Sequence, residues 1–305
     1  MSAEPYRNIA RLVSYLSHPR PAPTLMKRIL GAQLAGMRDD ADLSQDQAAR
    51  HLGCSPAKIC RIEQGKSRLP AKQSDVAALL DLYGVGDYEI SIMLQLLGRS
   101  HESGWWQRYD SRLKPEWVDR LIGLQEAATA IRTYEVHFVP GLLQTAAYTR
   151  TVIERGLPQV PRSEVERRVE LRMARQEMLQ RPDAPELWAV IDETVLYPRV
   201  GGPDVMRGQL RHLLEAADMP KVTLQVVPLS VTDASSPGIP ITYLRFPGQD
   251  VADVVYLEQV SNALFIEDAA DTEQYRATLD RLASEALDQR QTRAMIDRML
   301  HERYN

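Results

Sequence analysis

Residues 44 to 70, SQDQAARHLGCSPAKICRIEQGKSRLP, constrain this chain more than any other segment. Ser44 is placed to cap a helix, with Gln47 three residues later positioned to reach back and complete a capping box. The helix runs to about Leu52, where Gly53 breaks it. Ser55 caps a second helix with Pro56 at its first position, where a missing N–H costs nothing. Gly65 ends that helix, since glycine accepts the left-handed conformation at a helix C-terminus. Two short helices joined by a tight glycine turn read as a helix-turn-helix.

Advancing 100° per residue along the second helix turns Ile59 and Ile62 toward the first. Ala57, Cys60, Arg61 and Gln64 fall on the opposite face, with Lys58 on the flank. An outer face of cationic and amide groups beside small residues suits the major groove, where Arg or Lys meets guanine edges and Gln meets adenine. Ser55, Ala57, Lys58, Cys60, Arg61 and Gln64 are therefore the candidate DNA contacts of this helix. Arg61 and Lys58 are expected to read bases, and Gln45, Lys66 and Arg68 to hold phosphates and set the register. The competing reading is an ordinary helical hairpin with a solvated outer face.

The segment from Gln33 to Pro70 resembles the lambda-repressor-like helix-turn-helix family of the xenobiotic-response-element (XRE) type, from its Leu-Ser-Gln opening (Leu43–Gln45) to its Ile-Glu-x-Gly-Lys close (Ile62–Lys66). The resemblance implies a compact domain of about five helices. It assigns Gln45 to an anchoring contact and Ala57, Lys58 and Arg61 to the recognition helix. It further implies an internal ion pair between Arg38 and Glu63. Cys60 stands where that family more often carries Ser or Asn, which are stronger hydrogen-bonding groups. Farther on, GWWQRYD (104–110), YEVHFVPGLLQTAAYTR (134–150) and ELWAVIDETVLYPRVGG (186–202) resemble an actinobacterial regulator family of the WhiJ type. There a domain of unassigned function follows the DNA-binding domain, and the gene often lies beside one for a very small partner protein.

Net charge is −4 over 305 residues, an unpromising value for a DNA binder until it is divided. Residues 24–72 hold nine Lys or Arg against five Asp or Glu, a local balance of +4 that leaves −8 elsewhere. The positive field thus sits with the motif, and the acidic remainder discourages non-specific wrapping of DNA. Cys54 and Cys60, the only cysteines, are too few for a disulfide framework or a zinc site. Six residues apart, they lie about two helical turns from each other, too far for a relaxed disulfide. Cys54 is expected in the core, and Cys60 is a candidate for single oxidation. No apolar run approaches a membrane span, and no signal peptide is evident. A cytoplasmic, nucleoid-associated protein is expected.

The expected class is α+β: an N-terminal all-α lambda-repressor-like domain, then a larger C-terminal domain of helices and a mixed sheet. The divisions are an arm at 1–23, the DNA-binding domain at 24–98, a hinge at 99–115, and a sensor or partner-binding domain at 116–305. The arm's Arg7, Arg11 and Arg20 are candidates to lie along DNA, against a packing or disordered arm as the alternative. Trp105, Trp106 and Tyr109 either pack the domains together or form an aromatic ligand wall. Residues 116–135 read as one helix. Residues 163–181 read as a helix with a solvated face, on which Arg167, Arg168, Arg172 and Arg175 balance Glu164, Glu166, Glu170 and Glu177. Residues 187–196, 221–229, 240–246 and 253–259 read as strands, 203–218 as a helix, and 272–301 as helical.

No phosphate-binding loop, dinucleotide fingerprint, zinc-protease motif or nucleophile elbow is present, and the six histidines are scattered. Asp192, Glu193 and Glu258 form a conceivable carboxylate cluster for a metal-dependent hydrolase. The plainer reading is that they cap strands or pair with Arg199, Arg207 or Arg211. No enzyme activity, cofactor or metal is expected. Three functions stay open. The chain is a sequence-specific DNA-binding regulator, a protein-interaction module of an antitoxin-like pair, or a small-molecule-sensing regulator. Double-stranded DNA with a near-palindromic operator is the expected partner, bound by a homodimer whose half-sites lie about one helical turn apart. A small protein encoded nearby is a further expected partner.

Overall fold

The computed structural model describes residues 9–16, 23–67, 71–109, 115–231, 236–248, 251–259 and 261–304. The chain divides into two compact units, residues 1–107 with 247–251, and 108–246 with 252–305. The whole is α+β, a helical helix-turn-helix region followed by a domain of helices around a mixed sheet.

The first unit comprises α1 (Ile9–Leu16), α2 (Pro23–Asp40), α3 (Gln45–His51), α4 (Pro56–Glu63), α5 (Gln73–Leu82) and α6 (Asp87–Ser100). Helix α2 is its axis. Leu25, Ile29, Leu34 and Met37, spaced as one helical face, are all buried, and so are residues around most of its circumference. That enclosure follows from packing against α4, α5 and α6. Within the segment expected to be an arm, α1 packs against α6 and buries Leu12 and Tyr15. Arg7, Arg20 and the side chain of Arg11 lie outside the described residues.

The second unit holds α7 (Glu116–Ala127), β1 (Ala130–Glu135), α8 (Ala146–Gly156), α9 (Arg162–Gln176), β2 (Glu186–Asp192) and α10 (Pro203–Ala216). Strands β3 (Val222–Val227), β4 (Ile241–Arg245), β5 (Val254–Glu258) and β6 (Ala263–Ile266) follow, then α11 (Ala269–Glu285) and α12 (Gln289–Arg303). The six strands lie in the order β3-β2-β1-β4-β5-β6. β1, β2 and β3 are mutually parallel, whereas β4 runs against both β1 and β5. β5 is therefore parallel to β1, and Glu135, Asp192, Val227 and Glu258 all end their strands at one edge. Connectivity reverses at β1, because β2 and β3 build to one side of it and β4 and β5 to the other. One sheet face packs on α11 through Tyr134, Val190, Ile241, Tyr243, Val255 and Leu257 against Leu279 and Leu282. Alternation places Thr133, Glu135, Thr242, Tyr256 and Glu258 on the other face.

Three expectations change, one is refined and one strand is added. Residues 116–135 are not one helix: α7 stops at Ala127, and 130–135 is a strand paired on both sides. The apolar spacing there fits either period, and only pairing with β2 and β4 decides it. The strand expected over 187–196 ends at Asp192, whose side chain accepts from Thr194 N at 2.9 Å and starts a 3₁₀ turn over Glu193–Leu196. The helical stretch 272–301 is two helices. Asp288 caps the second with a capping box, and Leu287, in the connector, donates its N–H to Val226 of β3. Strand β6 was not anticipated at all. Finally, the charged helix α9 is not solvated throughout. Glu164 is buried beside Arg167 and Arg168, and Arg172 and Arg175 turn inward over the sheet.

Candidate nucleic-acid interface

Each helix of the motif begins and ends by a local device. Ser44 Oγ accepts from Gln47 N at 3.2 Å while Gln47 Oε1 accepts from Ser44 N at 2.8 Å, so the capping box closes over α3. Ser55 occupies the N-cap of α4 without a side-chain capping bond, and Pro56 follows it. Both helices end in a Schellman turn. In α3, Cys54 N donates to Ala49 O at 2.9 Å and Gly53 N to Arg50 O at 3.2 Å. In α4, Lys66 N donates to Arg61 O at 2.9 Å and Gly65 N to Ile62 O at 3.0 Å. Gly53 and Gly65 take φ of 61° and 63°, the left-handed region that this turn demands and that only glycine adopts freely.

The recognition helix is docked from behind. Ile59 and Ile62 are buried, and the C-terminal turn of α4 lies directly on α2. A Cβ at Gly31 would stand 2.3 Å from Glu63 O and 2.5 Å from Ile62 O, so a side chain there would drive the helices apart. Beside this contact Arg38 Nε donates to Glu63 Oε1 at 2.7 Å and Nη2 to Oε2 at 3.1 Å, a two-pronged buried pair. Arg38 Nη1 donates to Leu43 O at 2.7 Å, tying in the loop before α3. Gln45 Nε2 donates to Glu63 Oε2 at 2.7 Å. Hydrogen bonding and charge from Glu63 hold the Arg38 guanidinium above its ordinary pKa. Burial, then the Glu63 charge, pushes the nearby Tyr83 hydroxyl well above the usual phenol range.

The outward row differs in exposure and in what its side chains engage. Ser55, Ala57, Arg61, Gln64 and Lys66 are exposed, and Cys60 is half-buried among them. The Arg61 side chain makes no hydrogen bond or ion pair among the described residues. Lys58 is otherwise disposed: its Nζ pairs with Asp75 of α5 at 2.6 Å, and that bond raises its pKa. Gln45 is half-buried with its amide turned to Glu63. Arg68 lies outside the described residues. Cys54, expected in the core, is half-buried, its Sγ donating to Ser55 O at 3.7 Å. Both cysteines are free thiols. Asp75 was the partner the sequence reading overlooked. It lies seventeen residues from Lys58, on a helix whose orientation no local pattern reveals.

The other candidates disperse. Trp105 and Trp106 meet edge-to-face with ring centroids 5.9 Å apart, and Trp106 is buried. The Arg108 guanidinium lies 4.9 Å over the Tyr109 ring. Asp192 faces the α11 side of the sheet, accepting from Tyr134 OH at 3.3 Å and Thr194 Oγ1 at 2.5 Å. Glu193 accepts from Tyr197 OH and Leu229 N, whereas Glu258 accepts from Tyr256 OH on the opposite sheet face. The three carboxylates do not converge, and among the described residues no group of three or more His, Cys, Asp or Glu is arranged to hold a metal. Among them, too, no helix is long and apolar enough to cross a membrane.

Two family models match the chain. One, described as a helix-turn-helix domain, covers residues 29–91. The other, described as a domain of unknown function (DUF5753), covers residues 118–298, from within α7 to within α12. No curated protein and no solved structure matches it.

Proposed function

The chain belongs to the DUF5753 family, and we propose that it is a sequence-specific DNA-binding transcriptional regulator of the XRE and WhiJ type. The observation that carries this reading is the exposed row Ser55, Ala57, Arg61 and Gln64 on α4, with the Arg61 side chain unpaired among the described residues and the helix braced from behind by Arg38 and Glu63. A helix of eight residues rises about 12 Å, the width of the major groove. Arg61 supplies a fork for a guanine edge, Gln64 an amide for adenine, and Ala57 room for a thymine methyl. Lys66 and Arg68 hold phosphates. Lys58 reads a base only by leaving Asp75, and Gln45 reaches a phosphate only by turning from Glu63.

One such helix reads a short half-site, so the protein acts as a homodimer on a near-palindromic operator. The second domain is its sensor, engaging a small partner protein or an effector. An antitoxin-like pairing in which DNA binding is secondary is the alternative role for that domain. Its place of action is the cytoplasm, at the nucleoid. Selection of genomic fragments by the purified protein, with Arg61→Ala alongside, tests the reading. A two-fold motif recovered by the wild type and lost in the variant is expected. No enrichment, with or without the neighbouring small protein, overturns it.

A further inference from the structure

The segment Val139–Thr145, the distinctive VPGLLQT run, lies in the second unit, where three glutamines hydrogen-bond to its carbonyls. Gln176 of α9 donates to Gly141 O at 2.9 Å and Gln144 O at 2.8 Å, and Gln209 of α10 donates to Leu143 O at 2.7 Å. Gln144 itself donates to Val139 O at 2.7 Å and accepts from Arg172 Nη1 at 2.6 Å. This cage seats two arginines of α9 at the carboxyl edge of the sheet, where the chain order reverses at β1. That is where open sheets flanked by helices hold their ligands, although here the antiparallel β4 intervenes.

Across from the arginines stand Glu135 at the end of β1 and Glu258 at the end of β5. They are two strands apart at the same level, roughly 10 Å by strand spacing. All four charges act on one another, but no ion pair joins them. The Arg175 side chain makes no hydrogen bond with any described residue, and its Nε is fully buried without a partner among them. Glu135 likewise makes none through its side chain. The Arg175 guanidinium lies against Gly141, where a Cβ would stand 2.7 Å from its Nη2 and make the guanidinium shift. Both residues keep a partly open flank, and Glu258 at the rim is exposed. A guanidinium with five donors and a buried unbonded edge is costly unless something arrives to accept from it.

We propose that this cluster binds a small carboxylate or phosphate monoanion, gripped by Arg175 and flanked by Arg172, Glu135 and Tyr256. Burial, then the Glu258 charge, lifts the Glu135 carboxyl to about 8 against the pull of Arg172 and Arg175. At neutral pH it therefore presents a hydrogen-bond donor. With Glu135 neutral, two arginines against Glu258 leave one positive charge for the ligand to neutralise. Burial, then Arg172, lowers Arg175 to about 10, so it remains a cation.

The test is calorimetric titration of the full chain with sodium benzoate and, separately, sodium phosphate, against sodium chloride at equal ionic strength. At least one probe binds, and which one identifies the source of the oxyanion. In Arg175→Gln the affinity falls about tenfold or more. In Arg167→Gln, on the solvent side of the same helix, it is unchanged. Wild-type binding fades as pH passes about 8 and a second carboxylate appears beside the ligand, whereas Glu135→Gln binding does not. Tyr148, Tyr256, Glu258, Arg172 and Arg175 are the titratable groups facing Glu135 in that comparison. Circular dichroism checks each fold, and Arg175→Lys, which keeps the charge but loses the two-pronged fork and is expected to bind more weakly, replaces Arg175→Gln if that variant does not fold. Binding of neither probe, or binding undiminished in the folded variant, overturns the proposal. The titration contains no DNA, so its failure leaves the DNA reading standing.

Discussion

Arg38 and Glu63, twenty-five residues apart, meet through two hydrogen bonds of 2.7 and 3.1 Å behind the recognition helix. Removing one partner leaves the other charged and unpaired in a buried site, which costs about 3–5 kcal/mol. Glu63→Ala should therefore lower the unfolding free energy by that order in urea titration. An unchanged midpoint would refute the assignment. Replacing both residues with apolar ones should recover much of the loss, because the pair's own net contribution is small.

Gly31 admits the end of α4 onto α2. Gly31→Ala sets a Cβ against two backbone carbonyls that cannot rotate aside. A loss of about 1–3 kcal/mol or more is expected, together with weakened operator binding because α4 is displaced. Stability equal to wild type would show that the helices have slack.

Arg61 and Lys66 should differ in kind. Arg61→Ala is expected to cost about 1–3 kcal/mol on the operator and to relax one base position. Lys66→Ala should weaken every sequence alike and reduce the salt slope by about one. Equal loss on operator and random DNA in Arg61→Ala would remove its base-reading role.

Lys58 is held by Asp75 at 2.6 Å. Asp75→Asn removes a negative charge near the interface and frees the ammonium, so DNA affinity should rise and its salt dependence steepen. Lys58→Ala should cost less than Arg61→Ala. The reverse order in a binding assay would mean that Lys58 leaves Asp75 for DNA at little cost.

Glu135 sets a pH dependence of stability. Its folded pKa, about 8, lies above its ordinary value of 4.5. The folded state thus binds the proton more tightly, and the stability this contributes is complete below pH 4.5 and lost as pH rises through about 8. Glu135→Gln, permanently neutral, should therefore gain on the wild type in melting temperature between pH 5 and pH 8. A constant difference across that range would show the carboxyl to be solvated.

The sequence by itself determined the elements that local chemistry closes. The Ser44–Gln47 box, the turns at Gly53 and Gly65, the buried stripe of Ile59 and Ile62, and the outward Arg61 and Gln64 all depend on neighbours within a few residues. Their spacing states them directly. Tertiary structure decided whatever depends on a distant partner. Residues 130–135 are a strand because β2 and β4 flank them, although their apolar spacing also fits a helix. Lys58 is engaged because α5 brings Asp75 to it. Arg172 and Arg175 read as a solvated charge run, since a helix's own periodicity shows its faces but not what covers them. Docking α9 over the sheet end turned two of those charges inward, opposite Glu135 and Glu258.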